Sequence, residues 1–394
     1  MIPVTPIEAE SPSQVAKQIS HRLGSAIKSH LLQAFAPDNT KVMRKIPATE
    51  AADLIGASPA FMRKCHGDGT LPEPAEIRGG RRYYSVQEIW DARLTLEKTT
   101  KSQGRYLPWR RNGETLQVWQ LMNFKGGSSK STTTIHLAHY LNLHGYRVLM
   151  VDLDPQGSLT GMCGLDPRTE FDGPTIYDAI RYDDPVPMGD VVVPTYLPGL
   201  SLAPARLVLS EFDTESALNR DSGLMFYSRL RDAIDQVEDR FDVVLIDSPP
   251  QLSFLTLTGM SAATSIIVPL TPSMMDVSST SQFIELASAY MEVIEQHGAQ
   301  LHYDHFKFLF TRDEPTDVPS QQLVSFMRAL LQDRVMAATS YKSTAISDAT
   351  MMKQSIYEVS RSDMTRGTYD RARQSMDGVG KEVDTMMAQA WGRT

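Results

Sequence analysis

The sequence predicts an α/β fold, a mostly parallel sheet flanked by helices and preceded by a small, mainly helical domain. Three observations lead there. Apolar segments at 116–124, 146–153, 241–246 and Ser265–Leu270, with 301–311 as a further candidate, are separated by helical stretches. That alternation is the pattern of a parallel sheet whose crossovers cover both faces. A Gly/Ser-rich loop or closely spaced acids succeed three of these segments, and strand carboxyl ends are where such sheets meet ligands. Charge is also divided: residues 1–113 carry 17 Lys/Arg against 11 Asp/Glu, and the remainder 22 against 36.

At 394 residues, with 41% hydrophobic and 22% charged side chains, the chain is long enough for two globular domains. The first element is a helix starting at Ser11, where Ser11, Pro12 and Gln14 supply an N-cap, a first-turn proline and a capping-box partner. Val15, Ile19, Leu23, Ile27 and Leu31 then make one apolar stripe. Such a stripe either packs on its own domain or pairs two copies. The run Ala36-Pro37-Asp38-Asn39-Thr40 ends this 1–40 segment.

A small domain comes next, over 41–98. Residues 46–56 read as a short helix closed by Gly56, and Ser58-Pro59 opens a second helix containing Phe61, Met62, Arg63 and Lys64. Helix, glycine turn, helix is the helix-turn-helix plan, whose second helix enters the DNA major groove. Arg78-Gly79-Gly80-Arg81-Arg82-Tyr83-Tyr84 reads as a basic hairpin wing, and Ser85 with Glu88 caps the next helix. Arg63, Lys64, Arg81 and Arg82 are the candidate DNA contacts of this winged helix-turn-helix. A hydrophilic stretch at 99–113 has the composition of a linker, and the larger domain spans 114–394.

The strongest chemical signal is Lys125-Gly126-Gly127-Ser128-Ser129-Lys130-Ser131-Thr132, set between the 116–124 strand and a helical stretch at 133–143. Small residues let backbone N–H groups approach phosphates, and the helix after the loop points its positive end at them. In that arrangement Lys130 reaches the β- and γ-phosphates of a nucleotide, and the Ser131 hydroxyl ligates Mg²⁺. One strand then ends in Asp152 and Asp154, and another in Asp247. Loop and acids in this order point to nucleotide hydrolysis.

Other classes fit poorly. No apolar run approaches the ~20 residues that span a bilayer, and Met1-Ile2-Pro3-Val4-Thr5 lacks the build of a secretory leader. Cys65 and Cys163 lack metal-ligand spacing and are too few for a disulfide framework. The expectation is a cytoplasmic chain with reduced thiols and no membrane contact.

The loop resembles the K-G-G-x-G-K-T-T pattern of deviant-Walker ATPases, the ParA/MinD class of P-loop NTPases. Ser129 stands at the usual glycine and Ser131 at the usual threonine. The resemblance implies that Lys125 crosses a dimer interface to the partner's nucleotide, adding an ammonium where charge develops in phosphoryl transfer. Asp152-Leu153-Asp154-Pro155-Gln156 is similar to the family's D-x-D-P-Q motif. It implies that Asp154 activates the attacking water while Asp152 supports the metal and switch region. Asp247 resembles the Walker B acid, which holds Mg²⁺ through water. The front domain resembles the winged helix of MerR-type regulators. With 342–349 and 365–372 the likeness extends over nearly the whole chain, to large ParA proteins of the RepA kind found on RepABC plasmids.

For function the resemblance implies ATP and Mg²⁺ as cofactors, an ATP-dependent homodimer, and non-specific DNA binding on the nucleoid. It also implies stimulation by a ParB-type centromere-binding protein and repression of the chain's own operon at an operator. Non-specific contacts would fall to Lys342, Lys353, Arg361, Arg366, Arg371 and Arg373, residues that read equally well as solvated helix faces paired with Asp363 and Asp370. Contacts to the adenine of the bound ATP would lie near Asp313-Glu314-Pro315. The alternatives are an ATP-sensing repressor with little turnover and a metabolic P-loop ATPase. The latter needs a substrate pocket or metal ligands that the sequence does not display. Iron–sulfur members need bridging cysteines, and membrane-targeted members a basic amphipathic tail, which 379–394 is not.

Overall fold

The computed structural model describes residues 11–34, 41–165, 171–219 and 225–393. The chain divides into two compact units, Met1–Lys41 and Val42–Thr394. In the first, α1 runs Pro12–Ala34. The Ser11 hydroxyl accepts from the Gln14 amide at 3.3 Å, and the Gln14 side chain accepts from the Ser11 amide at 3.1 Å, which satisfies two N-terminal donors at once. Val15, Ile19 and Leu23 are exposed. The Ile27 and Leu31 side chains and the break at 36–40 lie outside the described residues.

The second unit opens with β1 (Ile46–Pro47), α2 (Ala48–Ile55), α3 (Pro59–Gly67), β2 (Glu76–Arg78), β3 (Arg81–Tyr84) and α4 (Val86–Thr99), the strands ordered β1-β3-β2. Local chemistry accounts for each boundary. Gly56, at φ +77°, ends α2 in the left-handed region open to glycine. The Ser58 hydroxyl accepts from the Phe61 amide at 3.1 Å and starts α3. Gly79 and Gly80, at φ +53° and +74°, fill both positive-φ positions of a two-residue hairpin. Ser85 and Glu88 form a reciprocal capping box on α4.

The larger sheet contains β4 (Gln117–Leu121), β5 (Val148–Asp152), β6 (Val193–Pro194), β7 (Leu200–Ala203), β8 (Val243–Asp247), β9 (Ser265–Leu270), β10 (His305–Asp313) and β11 (Ser340–Tyr341), in the order β11-β10-β9-β4-β8-β5-β7-β6. Every pairing is parallel except β6 with β7. The four central strands are buried throughout, so β5, β8 and β9 read as mainly apolar runs without alternation, while β4 also buries Gln117 and Gln120. Strands β6, β7 and β11 have two to four residues, too few for any periodicity to register in the sequence.

The front elements share one hydrophobic core with the α/β layer. Arg93 on α4, 3% exposed, donates to the carbonyl of Leu54 and to those of Tyr106 at 2.8 Å and Leu143 at 2.9 Å. Burial draws its pKa down to about 10, which leaves it charged at neutral pH. Residues 99–113, hydrophilic by composition, turn Tyr106 and Leu107 inward, and the Trp109 indole donates to the Gly145 carbonyl at 2.9 Å.

Candidate functional site

The glycine-rich loop leaves the carboxyl end of β4 and enters the helix Lys130–Leu143, called α5. β4 lies between β9 and β8, and β8 adjoins β5, so the loop stands beside the carboxylates that end β5 and β8. Asp152 and Asp247 are paired directly in register. Parallel packing of three buried strands thus gathers Lys130, Asp152, Asp154 and Asp247 from positions up to 117 residues apart (130 to 247).

Loop shape comes from two left-handed residues, Gly127 at φ +80° and Ser129 at φ +70°. Glycine adopts that backbone freely, whereas a serine there costs roughly 1–2 kcal/mol. Anchors outside the loop hold it. The Asn123 side chain donates to the Pro269 carbonyl at 2.6 Å and accepts from the Lys125 amide at 3.1 Å. The Thr311 hydroxyl on β10 donates to the Ser128 carbonyl at 3.0 Å.

Lys130 is 7% exposed, and its ammonium donates back to the carbonyls of Asn123 at 3.1 Å and Lys125 at 3.4 Å. Burial draws its pKa down, while Asp247 and Asp154 draw it up. Asp247 is fully buried, and neither carboxylate oxygen has a hydrogen-bond partner. Burial, then its neighbour Asp152, pushes its pKa well above the ordinary carboxylate range. The Ser131 hydroxyl lies near enough to oppose that shift without reaching bonding geometry. A buried acid with two idle oxygens beside an ammonium and a hydroxyl is a set with room for a hard cation.

Asp152 is different. One of its oxygens accepts from the Thr160 amide at 2.8 Å and hydroxyl at 2.7 Å, the other from the Asp154 amide at 3.1 Å. Burial pushes its pKa up to about 7. These bonds brace the loop after β5, and Asp152 stands with Asp247 and Ser131 as the candidate metal groups. Asp154 is half-buried and accepts from the Gln156 amide at 3.0 Å through one of its oxygens.

Lys125 sits on the exposed side of the loop and is ion-paired with Asp276, a nearly buried acid in the first turn of the helix Met274–Gln296. Sequence reasoning missed Asp276 and Thr311, since neither lies in a recognisable motif. Asp313 is occupied by Thr339 at 2.8 Å and Gln321 at 2.7 Å, and Glu314 by Lys342 at 3.0 Å.

Of the candidate DNA contacts, Arg63 and Lys64 are exposed on α3 and Arg81 on the wing. Arg82 is bidentate to Glu73 at 2.6 and 2.7 Å. Arg366 and Arg371 are exposed on the C-terminal helix Arg366–Ala390, Lys342 pairs with Glu314, and Arg361 pairs with Asp370 at 2.8 Å. Arg373 departs from expectation. It lies over the buried Tyr357 ring at 4.4 Å and pairs with Glu50 of α2 at 3.2 Å and Asp377 at 3.1 Å. With its side chain 15% exposed, it clamps the front elements to the C-terminal helix, and the phosphate contact expected of it is corrected.

Fold and site together define a P-loop nucleotide-binding protein. The AAA domain family matches residues 116–298. The chain is 43% identical over 378 residues to a Rhizobium rhizogenes protein described as replication protein A, covering 94% of this chain and 93% of that one. It is 32% identical over 238 residues to the chromosome partitioning protein ParA of Caulobacter vibrioides, covering 59% and 84% respectively. A solved structure of cobyrinic acid a,c-diamide synthase from Mycobacterium smegmatis, with bound ADP and magnesium, is similar at a TM-score of 0.52 and 25% identity, covering 70% of this chain and 95% of that one. The chain belongs to the RepA-like group of ParA-type partition ATPases, proteins of plasmid or chromosome partition. Among the described residues no helix is long and apolar enough to cross a membrane.

Proposed function

We propose that this protein binds and hydrolyses Mg-ATP at the β4–α5 loop and uses the nucleotide cycle to control DNA binding in plasmid segregation. The observation that carries the reading is Asp247, whose two buried oxygens have no protein partner and which lies within electrostatic reach of the Lys130 ammonium. A triphosphate would draw Lys130 from the carbonyls it now caps. Ser131 and Asp247 would hold Mg²⁺, which supplies neutralisation of phosphate charge when bound. Asp154 would orient and deprotonate the attacking water, while Asp152 keeps the loop after β5 in register.

Lys125 would leave Asp276 and reach the nucleotide of a second copy, making an ATP-dependent homodimer. That dimer would bind DNA through exposed cations such as Arg366, Arg371 and Lys342, and a ParB-type partner would stimulate turnover. The front elements, with Arg63, Lys64 and Arg81 exposed and Arg82 at the wing's base, would read the operator and repress the chain's own operon. Full-length likeness to a replication protein A supports this reading over a metabolic enzyme, because the similarity to the synthase covers only 70% of the chain.

Two variants test it. Lys130→Ala should lose ATP binding measured by calorimetry, and undiminished affinity would refute the cradle. Asp154→Ala should form ATP-dependent dimers that do not turn over; wild-type phosphate release would remove its assigned role.

A further inference from the structure

Two clefts flank the wing. One lies between α3 and β3, lined by Met62, Arg63, His66, Arg81 and Arg82 among others. The second, of about 660 Å³, lies on the opposite side, between the wing and the start of the C-terminal helix. Pro47 and Tyr83 line both, so the two clefts adjoin one another at β1 and β3. The second cleft draws five cations from two parts of the chain: Arg44, Lys45 and Arg78 from the front elements, Arg361 and Arg373 from the ATPase part. Only Glu50 and Asp377 oppose them among its lining residues.

These cations divide by depth. Arg44 and Arg373 are largely buried and paired with Glu50, forming a neutralised floor. Lys45, Arg78 and Arg361 form the rim. Lys45 is exposed, and the Arg78 and Arg361 side chains are 71% and 58% exposed in ion pairs with Glu76 and Asp370. Both guanidinium groups are open to solvent on one side while the other holds the carboxylate, so each can meet a phosphate. The Arg361 to Arg373 stretch carries four arginines against Asp363 and Asp370, within a larger domain that is strongly acidic. Two of these arginines, Arg361 and Arg373, line the cleft beside the wing.

We infer that the phosphodiester backbone of a DNA duplex held on the winged helix continues into this second cleft. Lys45, Arg78 and the ATPase-part residue Arg361 then grip the same duplex. This rests on the proposed DNA binding by the front elements and extends it: the ATPase part contributes directly to that complex.

The test uses the full-length chain and a duplex from the control region of its own operon, with affinity measured by fluorescence anisotropy across a salt series. Each phosphate contact contributes a slope of about 0.9 to the fall of log affinity with log salt. Lys45→Gln, Arg78→Gln and Arg361→Gln should each reduce the slope by about that amount, with Arg361→Lys restoring it. A winged-helix variant, Arg63→Gln with Arg81→Gln, serves as reference. If the reference weakens binding and the three rim variants leave the slope intact, the second cleft holds no DNA and the inference falls alone. If the reference variant binds as the wild type does, the underlying reading falls too. Because one duplex spans both clefts, shortening it until it covers only the winged helix should abolish the effect of Arg361→Gln. Persistence of that effect on the short duplex would overturn the single-complex inference. All three rim residues are exposed, and unchanged circular dichroism checks that each variant folds.

Discussion

Gly380 offers a direct test of how the nucleotide-binding helix is held. It lies in the C-terminal helix, which packs on α5, and a Cβ built on it would come within 2.6 Å of three Tyr140 ring atoms, Cγ among them. Rotation about the ring axis cannot move Cγ away. Nor is there space beyond, because Tyr140 is buried and stacks on His144 with ring centroids 4.0 Å apart. Overpacking of this kind costs about 1–3 kcal/mol, and an overlap at the ring's root belongs at the upper end. Replacing a helical glycine by alanine returns roughly 1 kcal/mol of backbone entropy. Gly380→Ala should therefore be destabilised by about 2 kcal/mol. Gly378 is the internal control, two residues earlier on the same helix. A Cβ there meets only the Ala338 methyl at 3.6 Å, an ordinary contact, so Gly378→Ala should gain up to ~1 kcal/mol. Equilibrium urea unfolding monitored by circular dichroism compares the two midpoints. Equal midpoints, or a more stable Gly380→Ala, would refute the packing argument.

Three further outcomes rest on particular contacts. Ser129→Gly should stabilise the nucleotide-free chain by up to about 1 kcal/mol, because Ser129 sits at φ +70°; a lowered urea midpoint would contradict the strain. Asp276→Asn should free Lys125 and let ATP drive self-association at lower protein concentration in light scattering, an effect that an unchanged association curve would exclude. For Glu50, burial raises the pKa but Arg44 and Arg373 prevail and hold it below 4.5. A depressed carboxylate pKa adds stability above 4.5 that is lost as pH falls through the folded value. The stability gap between wild type and Glu50→Gln should then narrow in acid, and a gap that widened there would reverse the sign.

Much of the fold could be read locally. The Ser11, Ser58 and Ser85 caps, the Gly56 stop and the Gly79-Gly80 turn depend on bonds spanning a few residues, so their sequence signatures survive in any tertiary setting. The loop and its acids were equally legible, since a phosphate cradle needs small residues, a lysine and a helix start in one short run. The structure distinguishes their surroundings. Asp152 and Asp247 look alike in sequence, each closing an apolar strand, yet Thr160 and the Asp154 amide occupy the first and leave the second idle.

Sequence by itself determined the long buried strands, the helix caps, the phosphate loop and the positions of the acids that accompany it, because backbone geometry and short-range hydrogen bonding write those into neighbouring residues. Tertiary structure alone decided that Asp276 holds Lys125, that Thr311 ties down the loop, that Arg373 clamps α2 instead of facing solvent, and that Gly380 must stay bare beneath Tyr140. The partners stand far apart in the chain, by 151 positions for Lys125 with Asp276 and 183 for Ser128 with Thr311. For Tyr140 with Gly380 the separation is 240 (140 to 380), and for Glu50 with Arg373 it is 323 (50 to 373). Which distant side chains meet depends on how sheet and helices pack, and no local pattern carries that information.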